Sequence, residues 1–126
     1  MTDLTEMDFI IDGENRLVLT RPGVWVVMFR LPVCKACIAA KYSVLEVVQE
    51  YSDRINYGRV DVAENKRVVS SSANSSTPIK KVPMFITYHH GLPVMMHQGP
   101  YTKSKLTTLI DNTLEISERS CIIMDD

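Results

Sequence analysis

The clearest signal along the chain is a change of period. Val24-Trp25-Val26-Val27-Met28-Phe29 is an unbroken apolar run, rich in β-branched residues and preceded by Arg21-Pro22-Gly23. Continuous apolar character over that length predicts a central strand covered on both faces, and the Pro-Gly pair supplies the turn leading into it. From Cys37 to Tyr51 the apolar positions Cys37, Ala40, Val44, Leu45, Val48 and Tyr51 recur at helical spacing, with Lys41, Glu46, Gln49 and Glu50 mostly on the other side. Ile55 to Val62 returns to strand character, interrupted by Asn56 and Gly58. Strand, helix, strand predicts parallel strands joined by a right-handed crossover.

The flanking segments read less sharply. Asn15 to Thr20 reads as a short strand or edge element, after an acidic and mixed first dozen residues. Glu64 to Val69 predicts a short helix running into a polar surface loop, Ser70 to Pro78. Asn74-Ser75-Ser76 matches a glycosylation sequon, read as unused because no secretory signal is visible. Val82 to Tyr88 predicts a strand, His89-His90-Gly91 a turn, and Leu92 to His97 an antiparallel partner. Tyr101 to Glu115 predicts a closing helix with Leu106, Leu109, Ile110 and Leu114 on one stripe, and residues 117–126 a loose tail. With no repeat and no linker, the expectation is one domain over 1–126, its core at about 15–116.

Composition narrows the function classes. The chain has 126 residues, 45% hydrophobic, which suits a single domain with a self-sufficient core. A formal net charge of -1 offers no field for nucleic acid or an anionic bilayer, so neither is expected as a partner. The N-terminus is acidic where a signal peptide would be basic, and Val24 to Phe29 falls far short of the roughly 20 residues a bilayer requires. The expected setting is therefore cytoplasmic, or another intracellular reducing compartment. There, three cysteines are an odd count that no structural disulfide framework explains.

Two of the three stand as Cys34-Lys35-Ala36-Cys37, at the start of the expected helix. A helix N-terminus presents unpaired N–H groups and a positive dipole end, which favour a thiolate at the first cysteine. Its pKa is expected to fall from about 8.5 toward neutrality. Cys34 is then the nucleophile, Cys37 one turn inward the resolving thiol, and Lys35 a cation beside the first sulfur. A zinc site would need two further ligands, and only Cys121, His89, His90 and His97 are available; the histidines follow a strand away from the pair. No metal and no cofactor is expected.

The order strand, CxxC, helix, strand, then Lys81-Val82-Pro83-Met84-Phe85 opening a strand, resembles the thioredoxin family from about Val24 to Glu115. The strand ending in Phe29, Arg59-Val60-Asp61-Val62 on the next strand, the hairpin around Gly91 and Gly99 before the last helix also fall in the family's order. The resemblance implies a thioredoxin-like α/β fold, a mixed central sheet flanked by helices. It implies a cis peptide at Val82-Pro83 against the Cys34 sulfur, and pairing of the backbone before Pro83 with a substrate peptide. It also implies a thiol–disulfide oxidoreductase acting on protein disulfides, served by a reductase or oxidant partner, as a monomer or weak dimer.

The departures are specific. Val33 stands where the family's tryptophan precedes the motif, and Tyr42 where a proline kinks the long helix. Met28 aligns with the family's buried aspartate, which assists proton transfer to the resolving thiol. Arg59 takes the place of the lysine facing that acid, and is expected either to point outward or to stabilise thiolate charge. With Met28 unable to act as a base, Glu64 or solvent is the candidate replacement, unless resolution is slow. These losses support a rival reading: a thioredoxin-fold binding or scaffold module with weak or no redox catalysis.

Overall fold

Alternate residues of the apolar run serve two separate cores. Trp25, Val27 and Phe29 pack on one side of a sheet, Val26 and Met28 on the other, and none is more than 6% exposed. That two-sided burial is why the run carries no polar position. The structure is a computed structural model that describes residues 1–99 and 101–124, without the side chains of Ser52 and of 117–124.

In chain order the strands are β1 (Thr2–Asp3), β2 (Phe9–Ile11), β3 (Leu17–Leu19), β4 (Val24–Arg30), β5 (Asn56–Asp61), β6 (Met84–His89) and β7 (Leu92–Gln98). The helices are α1 (Lys35–Gln49), α2 (Lys66–Ser72) and α3 (Lys103–Met124). Five strands form one mixed sheet in the order β1-β5-β4-β6-β7. The pairs β1–β5 and β4–β5 are parallel, whereas β4–β6 and β6–β7 are antiparallel. α1 joins the parallel strands β4 and β5, as a crossover must.

α1 and α3 cover one face of the sheet. Ala40, Val44 and Val47 of α1 and Leu106, Leu109 and Ile110 of α3 meet Val26, Met28, Tyr57 and Phe85 there. The other face is covered by α2 and by a two-stranded hairpin of β2 and β3, whose Phe9, Leu17 and Leu19 pack with Phe29, Ile86 and Tyr88. Among the described residues no helix is long and apolar enough to cross a membrane.

Three expectations need correction. The first dozen residues, read as acidic and mixed with no element assigned, supply β1 and β2. These strands are two and three residues long, too short to display a period; β1 is held by β5, distant in sequence, and β2 by its hairpin partner β3. The segment from Ser70 is helical through Ser72 rather than a loop from its first residue. Its serines point their hydroxyls back at the helix: Ser71 Oγ donates to Arg67 O at 2.6 Å and Ser72 Oγ to Val69 O at 3.2 Å, a pattern compatible with helix. Finally, α3 continues beyond Glu115 to Met124, through most of the expected tail. No Gly or Pro lies between Lys103 and Met124 to stop it. The side chain of Cys121 lies outside the described residues.

Candidate functional site

The turn between β4 and α1 places Cys34 as the N-cap of the helix. Its backbone is extended (φ -79, ψ 116), and its Sγ accepts the backbone N–H of Cys37 at 3.2 Å. A sulfur thus fills the capping role usually taken by a side-chain oxygen. The Cys34 N–H donates to Leu31 O at 3.2 Å, closing the turn that presents the thiol. Both cysteines are free thiols; Cys34 is partly exposed and Cys37 is buried. Burial, together with the neighbouring Cys34 sulfur, pushes the Cys37 thiol up to about 11.

Across from the cysteines, the Val82–Pro83 peptide is cis. The Val82 carbonyl oxygen lies 4.0 Å from Cys34 Sγ. Pro83 is buried, and its own carbonyl accepts the N–H of Gly99, the residue that follows β7, at 2.8 Å. A depression of about 190 Å³ runs from Pro83 along α1, lined by Ala36, Ala39, Ser43 and Tyr101. Tyr101 is held there, its hydroxyl donating to Ala40 O at 2.9 Å and its ring standing edge-on to Phe85. On the other side of Val82, Leu31, Val62, Ile79, Lys80 and Lys81 line a second depression of about 190 Å³.

The family model described as Thioredoxin matches residues 13–112. The chain belongs to the thioredoxin family. A mutant thioredoxin from Halobacterium salinarum NRC-1 shares its fold, with a TM-score of 0.63 and 19% identity over 75% of this chain and 77% of that one. The uncharacterized protein 020R of Invertebrate iridescent virus 3 is 27% identical over 94 residues, covering 75% of this chain. The chain spans 57% of the length of that curated relative.

Within this thioredoxin fold, the structure brings Cys34, Cys37, Val82 and Pro83 together. Lys35 is the first residue of α1 and exposed to solvent. Met28, which the resemblance sets in the place of the family's buried acid, is fully buried in the core beneath α1. Arg59 turns to the N-terminal strand, where its Nε donates to Asp3 Oδ1 at 2.8 Å. It also lines a pocket of about 230 Å³ beside Cys37, shared with Arg30, Pro32, Cys37, Lys41 and Tyr42. Glu64 is exposed and not among the residues lining that pocket.

The sequence reading overlooked Arg30 and Lys41. Arg30 ends β4 in the alternation of Val26 and Met28, and that period of two is the signal that could have placed it on the α1 face. Among the described residues, no group of three or more His, Cys, Asp or Glu side chains is placed to hold a metal.

Proposed function

We propose that the protein exchanges disulfides with protein substrates, Cys34 attacking and Cys37 resolving. The observation that carries this reading is the position of Cys34 Sγ: capping α1 and 4.0 Å from the carbonyl that precedes a cis proline. A thiol there is partly exposed to a partner, caps the helix end, and lies beside the Val82 backbone. A substrate segment would lie across Val82 and Pro83, between the two depressions. Cys34 forms a mixed disulfide with it, and Cys37 then displaces the reduced substrate, leaving a Cys34–Cys37 disulfide for a reductase partner. Lys35 adds positive charge beside the first sulfur. A reducing intracellular compartment is the setting in which the resting dithiol acts as an electron donor.

The replacement of the buried acid by Met28 favours a second reading, a thioredoxin-fold binding module with little turnover. One experiment separates the two: disulfide reduction of a purified protein substrate by wild type, Cys34→Ser and Cys37→Ser. Exchange chemistry predicts loss of activity in Cys34→Ser and accumulation of mixed disulfides in Cys37→Ser. Equal background rates in all three proteins, with no trapped partner, would overturn the exchange reading in favour of the second.

A further inference from the structure

The pocket behind Cys37 is cationic. Arg30, Lys41 and Arg59 line it, and no carboxylate does. Arg59 is partly neutralised by Asp3, which sits outside the lining with a side chain 73% exposed. Among the described residues neither Arg30 nor Lys41 forms an ion pair. The Nε of Arg30 is buried and no protein atom among the described residues accepts a hydrogen bond from it. Three cationic side chains with no carboxylate among them suit an anion. Guanidinium groups match the oxygens of phosphate-like anions in geometry as well as charge. A pocket of about 230 Å³ has room for one with several waters, each taking about 30 Å³.

Cys37, for which the sequence offers no buried base, lines the same pocket. Met28 cannot accept a proton, and Glu64 is not part of the lining. We infer that the pocket binds a small inorganic oxyanion of the phosphate class, and that this anion takes the Cys37 proton when the mixed disulfide is resolved. The inference rests on the exchange chemistry proposed above. The proton passes from Cys37 Sγ to an anion oxygen. The Cys37 sulfur then bonds to Cys34 Sγ as the bond from Cys34 to the substrate sulfur breaks, and that sulfur leaves with the electron pair as a thiolate. The dithiol is oxidised and the substrate disulfide reduced, by two electrons. Arg30, Lys41 and Arg59 hold the anion and are positioning residues.

The test uses the full chain with Cys34 in a mixed disulfide with a chromophoric aryl thiol, whose release reports closure of the Cys34–Cys37 bond. Inorganic phosphate is titrated at fixed pH and ionic strength, with chloride as the balancing salt. The expected result is a saturable rise in release rate of about a hundredfold, the low side of what a positioned base supplies. Phosphorus resonance broadening in Cys37→Ser protein reports binding, with the same half-saturation. Lys41→Gln, on the exposed face of α1, and Arg30→Gln each weaken both signals, and Arg30→Lys restores part of them. A flat rate, a linear rise that is equal in wild type and Lys41→Gln, or binding without acceleration overturns the inference. Failure of the exchange reading looks different: the aryl thiol stays bound at every phosphate concentration. The proton role then falls with that reading, while the resonance still decides whether the pocket holds the anion.

Discussion

Asp3 and Arg59 face each other in the parallel β1–β5 ladder and are joined across it by a 2.8 Å charge-assisted hydrogen bond. The pair ties a two-residue edge strand to the wall of the Cys37 pocket. It also fixes the arginine where it lines that pocket.

The pair predicts a small, pH-dependent stabilisation. The Arg59 hydrogen bond, helped by the charges of Arg59 and Arg30, holds the Asp3 carboxyl below its ordinary 3.8. A carboxyl lowered by folding contributes stability that is full above the unfolded value and is lost as pH falls through the folded one. Asp3→Asn is expected to cost less than about 1 kcal/mol at neutral pH, because the carboxylate is solvent-exposed. Melting temperatures of the two proteins are expected to converge on acidification. A gap that persists at strongly acidic pH would assign the loss to something other than this charge.

The two thiols are expected to differ in reactivity. With Cys37 raised to about 11 by burial and by its neighbour, alkylation at mildly alkaline pH should label Cys34 and leave Cys37 protected. Peptide mass spectrometry reads the order directly. Stability carried by the neutral Cys37 thiol is full below its ordinary 9.0 and is lost as pH climbs toward 11. Cys37→Ala is expected to flatten that alkaline decline.

A buried hydroxyl pair joins α3 to the sheet at its irregular point. Thr113 Oγ1 donates to Thr87 Oγ1 at 2.6 Å, and Thr87 Oγ1 accepts the Met95 N–H at 3.2 Å, beside the register shift between β6 and β7. Thr113→Val removes the donor but keeps the shape, and is expected to cost about 1 kcal/mol. Thr87→Val also strips the acceptor from Met95 and should cost more. Denaturant titration ranks the two.

Gly91 turns the β6–β7 hairpin at φ +91, and a Cβ there would sit 2.6 Å from the Leu19 backbone oxygen. Since the Gly91 carbonyl also accepts the Leu19 N–H at 3.0 Å, the contact holds the β2–β3 hairpin against the sheet. Gly91→Ala is expected to destabilise by about 1–3 kcal/mol through strained backbone and enforced separation. Loss of amide protection at Leu19 in hydrogen exchange would localise the damage.

What the sequence disclosed follows from where its information is local. The central strand, α1 and the hairpin around Gly91 carry their own period or turn chemistry, and the structure places them within two residues of expectation at most ends. The cysteine pair and Val82-Pro83 were visible as motifs. β1 was not, since two residues have no period and its existence depends on Arg59 and Gly58 more than fifty positions away. Arg59 was legible as a charge in an unusual place, but not its partner. Arg30 and Lys41 come together only when α1 folds back over β4, a juxtaposition that no linear spacing encodes.

The serine-rich segment has a consequence of timing. Leu17 donates its N–H to Thr77 Oγ1, Ser76 donates its N–H to Asn15 O, and Asn15 Nδ2 donates to Asn74 O. The β2–β3 hairpin is therefore latched by residues about sixty positions downstream. During synthesis the hairpin emerges early but has to wait, unlatched and with an apolar face uncovered, until the chain beyond Thr77 has been made. Closing so long a loop carries an entropic cost that local turns avoid. In the order of assembly, this polar strap is the seal on the N-terminal third of the protein.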